Sequence, residues 1–149
     1  MFSPTERLSH FISSAHGLDA LYLAVLSQAF NGDDEVVMLC FQLVMSRVLA
    51  TKEPLSISSH SELQGDGEPI DLVEQIVWLM GSLLSGVDQQ HIPIRPLHTS
   101  FFDFLTDRKR SKLFYVDPSQ VNRSLTLSCL RVMKCGLQFN IVDLETSYC

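Results

Sequence analysis

The sequence predicts a mainly α fold: a winged-helix-like helical domain with a small β-hairpin wing, followed by the start of a second helical domain. Three observations predict it. Apolar residues recur at helical spacing along most of the chain, as in Leu18, Tyr22, Val25 and Leu26. Two short extended runs, Leu83–Val87 and Ile92–Leu97, flank a polar turn at Asp88–His91, and Pro93 and Pro96 restrict the second run to an edge strand. That pair follows three helical stretches, which is a winged-helix order. The organisation then reads as a helical lead-in over residues 1–32, a winged-helix-like domain over 33–107, and the start of a further helical domain over 108–149.

Composition bounds the function classes. The chain has 149 residues, 46% of them hydrophobic and 19% charged, which suits a packed core and excludes wholesale disorder. A net charge of -6 opposes generic binding to nucleic acid, because phosphate contacts need clustered cations. Arg108, Lys109, Arg110 and Lys112 form the one such cluster, and it reads as a solvated turn or as partners for carboxylates elsewhere. Cys40, Cys129, Cys135 and Cys149 show neither a CxxC pair nor a zinc spacing, so reduced thiols are expected. The start, MFSPTERLSHFISSAHG, lacks the basic opening and apolar centre of a signal peptide. The apolar run Val36–Met45 falls well short of the roughly 20 residues that span a bilayer. No membrane association is expected, and a cytoplasmic location fits.

In chain order, Ser3 and Glu6 form a capping box around a short first helix whose apolar side is Leu8, Phe11 and Ile12. Gly17 is expected to break it, and a second helix runs from Leu18 to Phe30, with Leu21 on its apolar side. Asn31 and Gly32 end that helix. The acids Asp33, Asp34 and Glu35 suit the positive end of the next helix dipole, which explains them better than a metal site does. That next helix, Asp34–Ala50, is apolar nearly all round and so belongs at the core. Ser56 caps a short helix to Leu63, and Gln64–Pro69 is an exposed loop. Ile70–Met80 is a helix buried through Ile70, Val73, Ile76, Val77 and Met80, with Trp78 and Leu79 broadening its apolar face. After the hairpin, Phe101, Phe102, Phe104 and Leu105 stand at helical spacing as core. Asp117 and Pro118 open a last helix to about Cys135, with a buried stripe at Val121, Leu125, Cys129 and Val132 and a stop at Gly136. Ile141, Val142 and Leu144 continue the apolar pattern beyond it.

Catalytic patterns are sparse. His98, Ser100 and Asp103 hold the residue types of a nucleophile site, but positions two apart on a helix do not face each other. His98 meets Ser100 only if the helix starts after the histidine. No GxSxG or HExxH pattern occurs, and the chain has no Gly-Lys pair for a phosphate-binding loop, so unaided nucleotide hydrolysis and any cofactor for the chain alone are not expected. A groove-reading helix at Ile70–Met80 would present Asp71 and Glu74 with no Lys or Arg, and the wing adds only Arg95, so DNA binding is disfavoured.

The segments GLDALYLAVL, EPLSISSHSEL, IPIRPLHTSFFDFLTDRKRSKLFYV and LTLSCLRVMKCGLQFNI cover most of the chain. In that order, and above all in the LHxSFxDFL core, the sequence resembles the region immediately after the ATPase core in fungal NACHT-type proteins. These belong to the STAND class of signal-transducing P-loop NTPases, relatives of NOD-like receptors and of the apoptosome protein. The resemblance implies a winged-helix domain leading into a helical domain. It implies that His98, after Leu97, contacts the phosphates of ADP in the resting state. Thr99 stands where that family often carries Asp, so the acid's ion pair or cap is missing here. The function implied is a regulatory, nucleotide-state-sensing module, non-catalytic by itself, with ADP or ATP bound in a full-length parent. The expected partners are an ATPase core before Met1 and sensor repeats beyond Cys149, so the chain reads as a fragment with exposed apolar surface prone to self-association. The other class of function open to this sequence is a winged-helix module that binds a partner protein through its apolar surface, with DNA a weaker variant.

Overall fold

The computed structural model describes residues 4–65 and 67–137, with side chains from residue 17 onward. The chain is mainly helical with one two-stranded antiparallel hairpin. Helix α1 (Pro4–Ala29) runs 26 residues without interruption. Gly17 therefore does not break it. One glycine costs a helix only about 1 kcal/mol relative to alanine, and burial of Tyr22 and Leu26 along one side, with Phe30 just past its end, offsets that cost. Leu21 faces solvent. The Ser3 cap and the side chains of Leu8, Phe11 and Ile12 lie outside the described residues.

Helix α2 (Glu35–Ala50) starts as local chemistry dictates. The carboxylate of Asp34 accepts from the amides of Val36 and Val37, both at 3.1 Å, so the acidic trio is a helix start. The helix buries Met38, Phe41, Val44, Met45 and Val48, but Val36 and Leu39 turn to solvent, so its apolar girth is only partly enclosed. Ser56 caps α3 (Ile57–Glu62) through the amide of Ser59 at 3.3 Å. Helix α4 (Leu72–Leu79) begins two residues past the expected Ile70, because the amide of Leu72 bonds back to the Pro69 carbonyl in a preceding turn. Leu72, Val73, Ile76 and Val77 are buried. Trp78 does not broaden that face: it lies four residues after Glu74 and seven after Asp71, on the polar side of the helix.

Strands β1 (Leu84–Ser85) and β2 (Arg95–Pro96) pair antiparallel with Leu84 opposite Pro96 and Ser85 opposite Arg95. Gly86 sits at φ 79°, where a Cβ would stand 2.6 Å from the Pro93 carbonyl oxygen, so the return of the chain requires glycine. The segment before β2 also bonds to the entrance of α3, through Ile94 N–H to the Leu55 carbonyl at 2.9 Å and Ser58 N–H to the Gln90 carbonyl at 3.0 Å. The wing is thus fastened to the helices behind it.

Helices α5 (Ser100–Thr106) and α6 (Arg108–Ser111), two 3-10 turns (Lys112–Phe114 and Pro118–Val121) and α7 (Asn122–Gly136) complete the chain. Asp107 caps α6, and Asp117 caps the second 3-10 turn. One continuous core runs from Tyr22 to Val116 and crosses positions 32 and 107. Helix α7 stands at its margin. Val121 and Ser128 are buried, Leu125 and Val132 are half-buried, and Cys129 is exposed, so the expected stripe is only partly covered. The guanidinium of Arg131 holds the helix in place by donating to the carbonyls of Glu62 and Gln64 after α3.

A polar cluster lies inside this core. Arg47, 3% exposed, pairs with Glu68, which also accepts the Gly65 amide at 3.1 Å. The loop expected to be fully exposed therefore sends one carboxylate inward. His60 is 1% exposed, and neither ring nitrogen has a hydrogen-bond partner among the described residues. Burial, and then the nearby Arg47 guanidinium, lower its pKa from 6.5 to about 4. An unfolded chain takes up this proton near pH 6.5, whereas the folded chain resists until about pH 4, so this stability is intact above 6.5 and lost as pH falls. Urea unfolding is expected to show a loss of about 2 kcal/mol from this group between pH 7 and pH 5. His60→Leu should remove that part of the pH dependence; an unchanged slope contradicts the assignment.

Candidate functional site

The junction between β2 and α5 is built from Leu97, His98 and Thr99. Thr99 already has helical angles, φ -57° and ψ -33°, and its side chain makes no cap bond. The first amide of α5 needs another acceptor. His98 supplies it: the Ser100 N–H donates to His98 Nδ1 at 3.2 Å. The Ser100 hydroxyl lies 2.7 Å from the same nitrogen, and the Tyr22 hydroxyl lies 2.8 Å from Ser100 Oγ.

This arrangement has a consequence for the proton. A nitrogen that receives an amide N–H must present a lone pair, so Nδ1 is the unprotonated nitrogen of the neutral ring. The Ser100 O–H then donates to Nδ1 as well, and its oxygen accepts from the Tyr22 O–H. In this tautomer Nε2 carries the proton. His98 is exposed, and Nε2 has no hydrogen bond among the described residues, so the junction offers solvent one oriented N–H donor.

Packing fixes the junction from behind. Phe101, Phe104 and Leu105 are buried and Phe102 is half-buried, as their spacing predicts. The Tyr22 ring meets Phe101 with centroids 5.1 Å apart at 62°, and Phe104 at 5.2 Å and 57°. Arg110 adds a second tie to α1 through a two-pronged ion pair with Asp19, at 2.9 Å and 2.7 Å. The guanidinium of Arg108 stacks over the Tyr115 ring at 4.7 Å. The basic cluster thus divides into a paired and a stacked member, with Lys109 and Lys112 beside them.

Of the three residues with nucleophile-site chemistry, His98 and Ser100 come together because α5 begins at Ser100. Asp103 does not join them: it is exposed and makes no hydrogen bond to His98 among the described residues. The serine meets Nδ1, and among the described residues no acid bonds the other nitrogen, so these three residues do not form the relay of a hydrolytic triad. Tyr22 had no sequence signal as a partner for this site, since it stands 78 residues from Ser100.

Two concavities lie elsewhere. An open groove of about 430 Å³ runs between Leu39, Gln42, Arg108, Tyr115, Asp117 and Gln120. A smaller one, about 200 Å³, is walled by Lys52, His60, Ile94 and Phe102 among others. His98 lines neither; its side chain is exposed. Among the described residues no group of three His, Cys, Asp or Glu is placed to hold a metal ion, and no helix is long and apolar enough to cross a membrane. Comparison with family models, with curated proteins and with solved structures returns no match.

The Tyr22–Ser100 link is testable by a double-mutant cycle in urea. Tyr22→Phe and Ser100→Ala are each expected to cost about 1 kcal/mol, with a coupling of similar size because both remove the same bond. Strictly additive losses contradict the link.

Proposed function

We propose that this chain is a regulatory, non-catalytic module of a STAND-type signalling NTPase, in which His98 reports the state of a nucleotide held by an adjoining ATPase core. The observation that carries this reading is the set of contacts that Ser100 and Tyr22 make around His98 Nδ1, which leave Nε2 facing solvent as a fixed donor. An N–H donor matches a phosphate oxygen, and its bond to an anion is stronger than a neutral one. ADP and ATP present their terminal phosphates differently, so one rigid donor meets one of them better. That difference in affinity is what shifts a two-state module.

Thr99 also fits this reading. The side chain that replaces the family's acid makes no cap bond, and the imidazole takes over as the acceptor for the start of α5. The same ring then links helix position to donor direction. A change at the phosphate would be felt at α5, and through Tyr22 and Arg110 at α1.

The test uses the chain joined to an ATPase core of the class it resembles. His98→Ala is expected to weaken ADP retention by roughly tenfold to a hundredfold, since a hydrogen bond to a charged group contributes about 1.5–3 kcal/mol. Unchanged ADP retention rejects the sensor role. Saturable micromolar ADP binding by the chain alone would equally reject the dependence on a neighbouring core.

A further inference from the structure

Between Lys52 and Arg95 the chain holds seven Asp or Glu residues and no Lys or Arg. The whole chain carries a net charge of -6, so this middle segment accounts for its acidity. Among the described residues Glu68 is paired with the buried Arg47, while Asp71 and Glu74 are exposed. The remaining charge is uncompensated by its own segment.

Helix α4 lies at the centre of this stretch, and its outward face combines two features. Asp71, Glu74 and Gln75 are exposed on it. Between and beyond them stand large apolar groups: Trp78 is 69% exposed, and Ile70, in the turn entering the helix, is 85% exposed. By helical spacing Asp71, Glu74 and Trp78 share one face. Trp78 is not drawn into the core, whose adjacent positions Ile76 and Val77 are fully occupied by the inner side of the helix. An exposed indole edged by carboxylates suits a cation with an apolar stem. The ring face attracts a guanidinium or ammonium, and the carboxylates pair with its neighbours.

We propose that this α4 face is a docking surface for a basic segment of another protein, with an arginine or lysine laid on Trp78 and further cations opposite Asp71 and Glu74. Charge selects this occupant. Duplex DNA meets like charge along the same face, despite the helix order of a winged-helix fold. A second copy packed by the same face would set Asp71 and Glu74 against their own equivalents, which is repulsive. A basic peptide satisfies both the carboxylates and the apolar surface.

Trp78 is the chain's single tryptophan, so its emission reports this face directly. The probe is a synthetic helical peptide with a leucine anchor flanked by arginines; its control replaces every arginine with glutamate. The arginine peptide is expected to shift Trp78 emission saturably at micromolar concentration and to weaken as salt rises. Reversing the face with Asp71→Lys and Glu74→Lys should weaken binding about tenfold or more, and these exposed positions leave the core untouched. Four results overturn the proposal: no saturable shift, equal binding of the glutamate peptide, a shift produced by duplex DNA, or a shift that follows protein concentration without peptide. Neither ADP nor ATP enters the experiment, so its failure leaves the proposed role of His98 standing.

Discussion

The tie between Tyr22 on α1 and the start of α5 is the interaction on which the rest of the structure depends. It joins residues 78 positions apart, and it does so twice over, by ring and by hydroxyl. The ring closes an aromatic box with Phe101 and Phe104, and the hydroxyl reaches Ser100 at the helix entrance. A buried aromatic carries several kcal/mol in packing alone, about 3–5 for truncation to alanine. The hydroxyl bond adds about 1 kcal/mol but supplies direction. Packing therefore holds α5 against α1, while the weaker bond decides where the imidazole beside it points.

That division of labour explains which features the sequence displays. Helix starts at Asp34 and Ser56 are local: a side chain bonds an amide two or three residues on, and the residue type nearly dictates the outcome. The aromatic block of α5 is equally legible, because three buried positions at helical spacing leave one consistent face. Gly17 misleads because propensity is a small local cost, and further along α1 Tyr22 and Leu26 are buried against distant groups. Trp78 misleads for a related reason. Its hydrophobicity suggests the core, yet the four positions Leu72, Val73, Ile76 and Val77 already fill the inner side of α4. The burial of His60 leaves no trace in spacing at all, and the Tyr22–Ser100 bond depends on two elements meeting across the whole fold.

The two proposed surfaces differ in how specificity would arise. At His98 a single ring is held by a chain of hydrogen bonds, and in the proposed role it would meet a phosphate brought by an adjoining ATPase core. At α4 no atom is aimed. There charge and exposed apolar area would act together, with selectivity coming from what the face repels as much as from what it attracts. The buried Arg47–Glu68 pair connects these scales. It fastens the loop before α4 to α2, so the acidic face is presented on a fixed frame.

The central claim is that the fold sets the direction of the His98 donor, and nitrogen NMR of the imidazole reads this directly. In mildly alkaline solution, where an imidazole is neutral, the account predicts that His98 carries its proton on Nε2, with an unprotonated, hydrogen-bonded Nδ1. Ser100→Ala should weaken that preference. A predominant Nδ1–H form, or an even mixture of the two tautomers unaffected by the serine, would contradict the account.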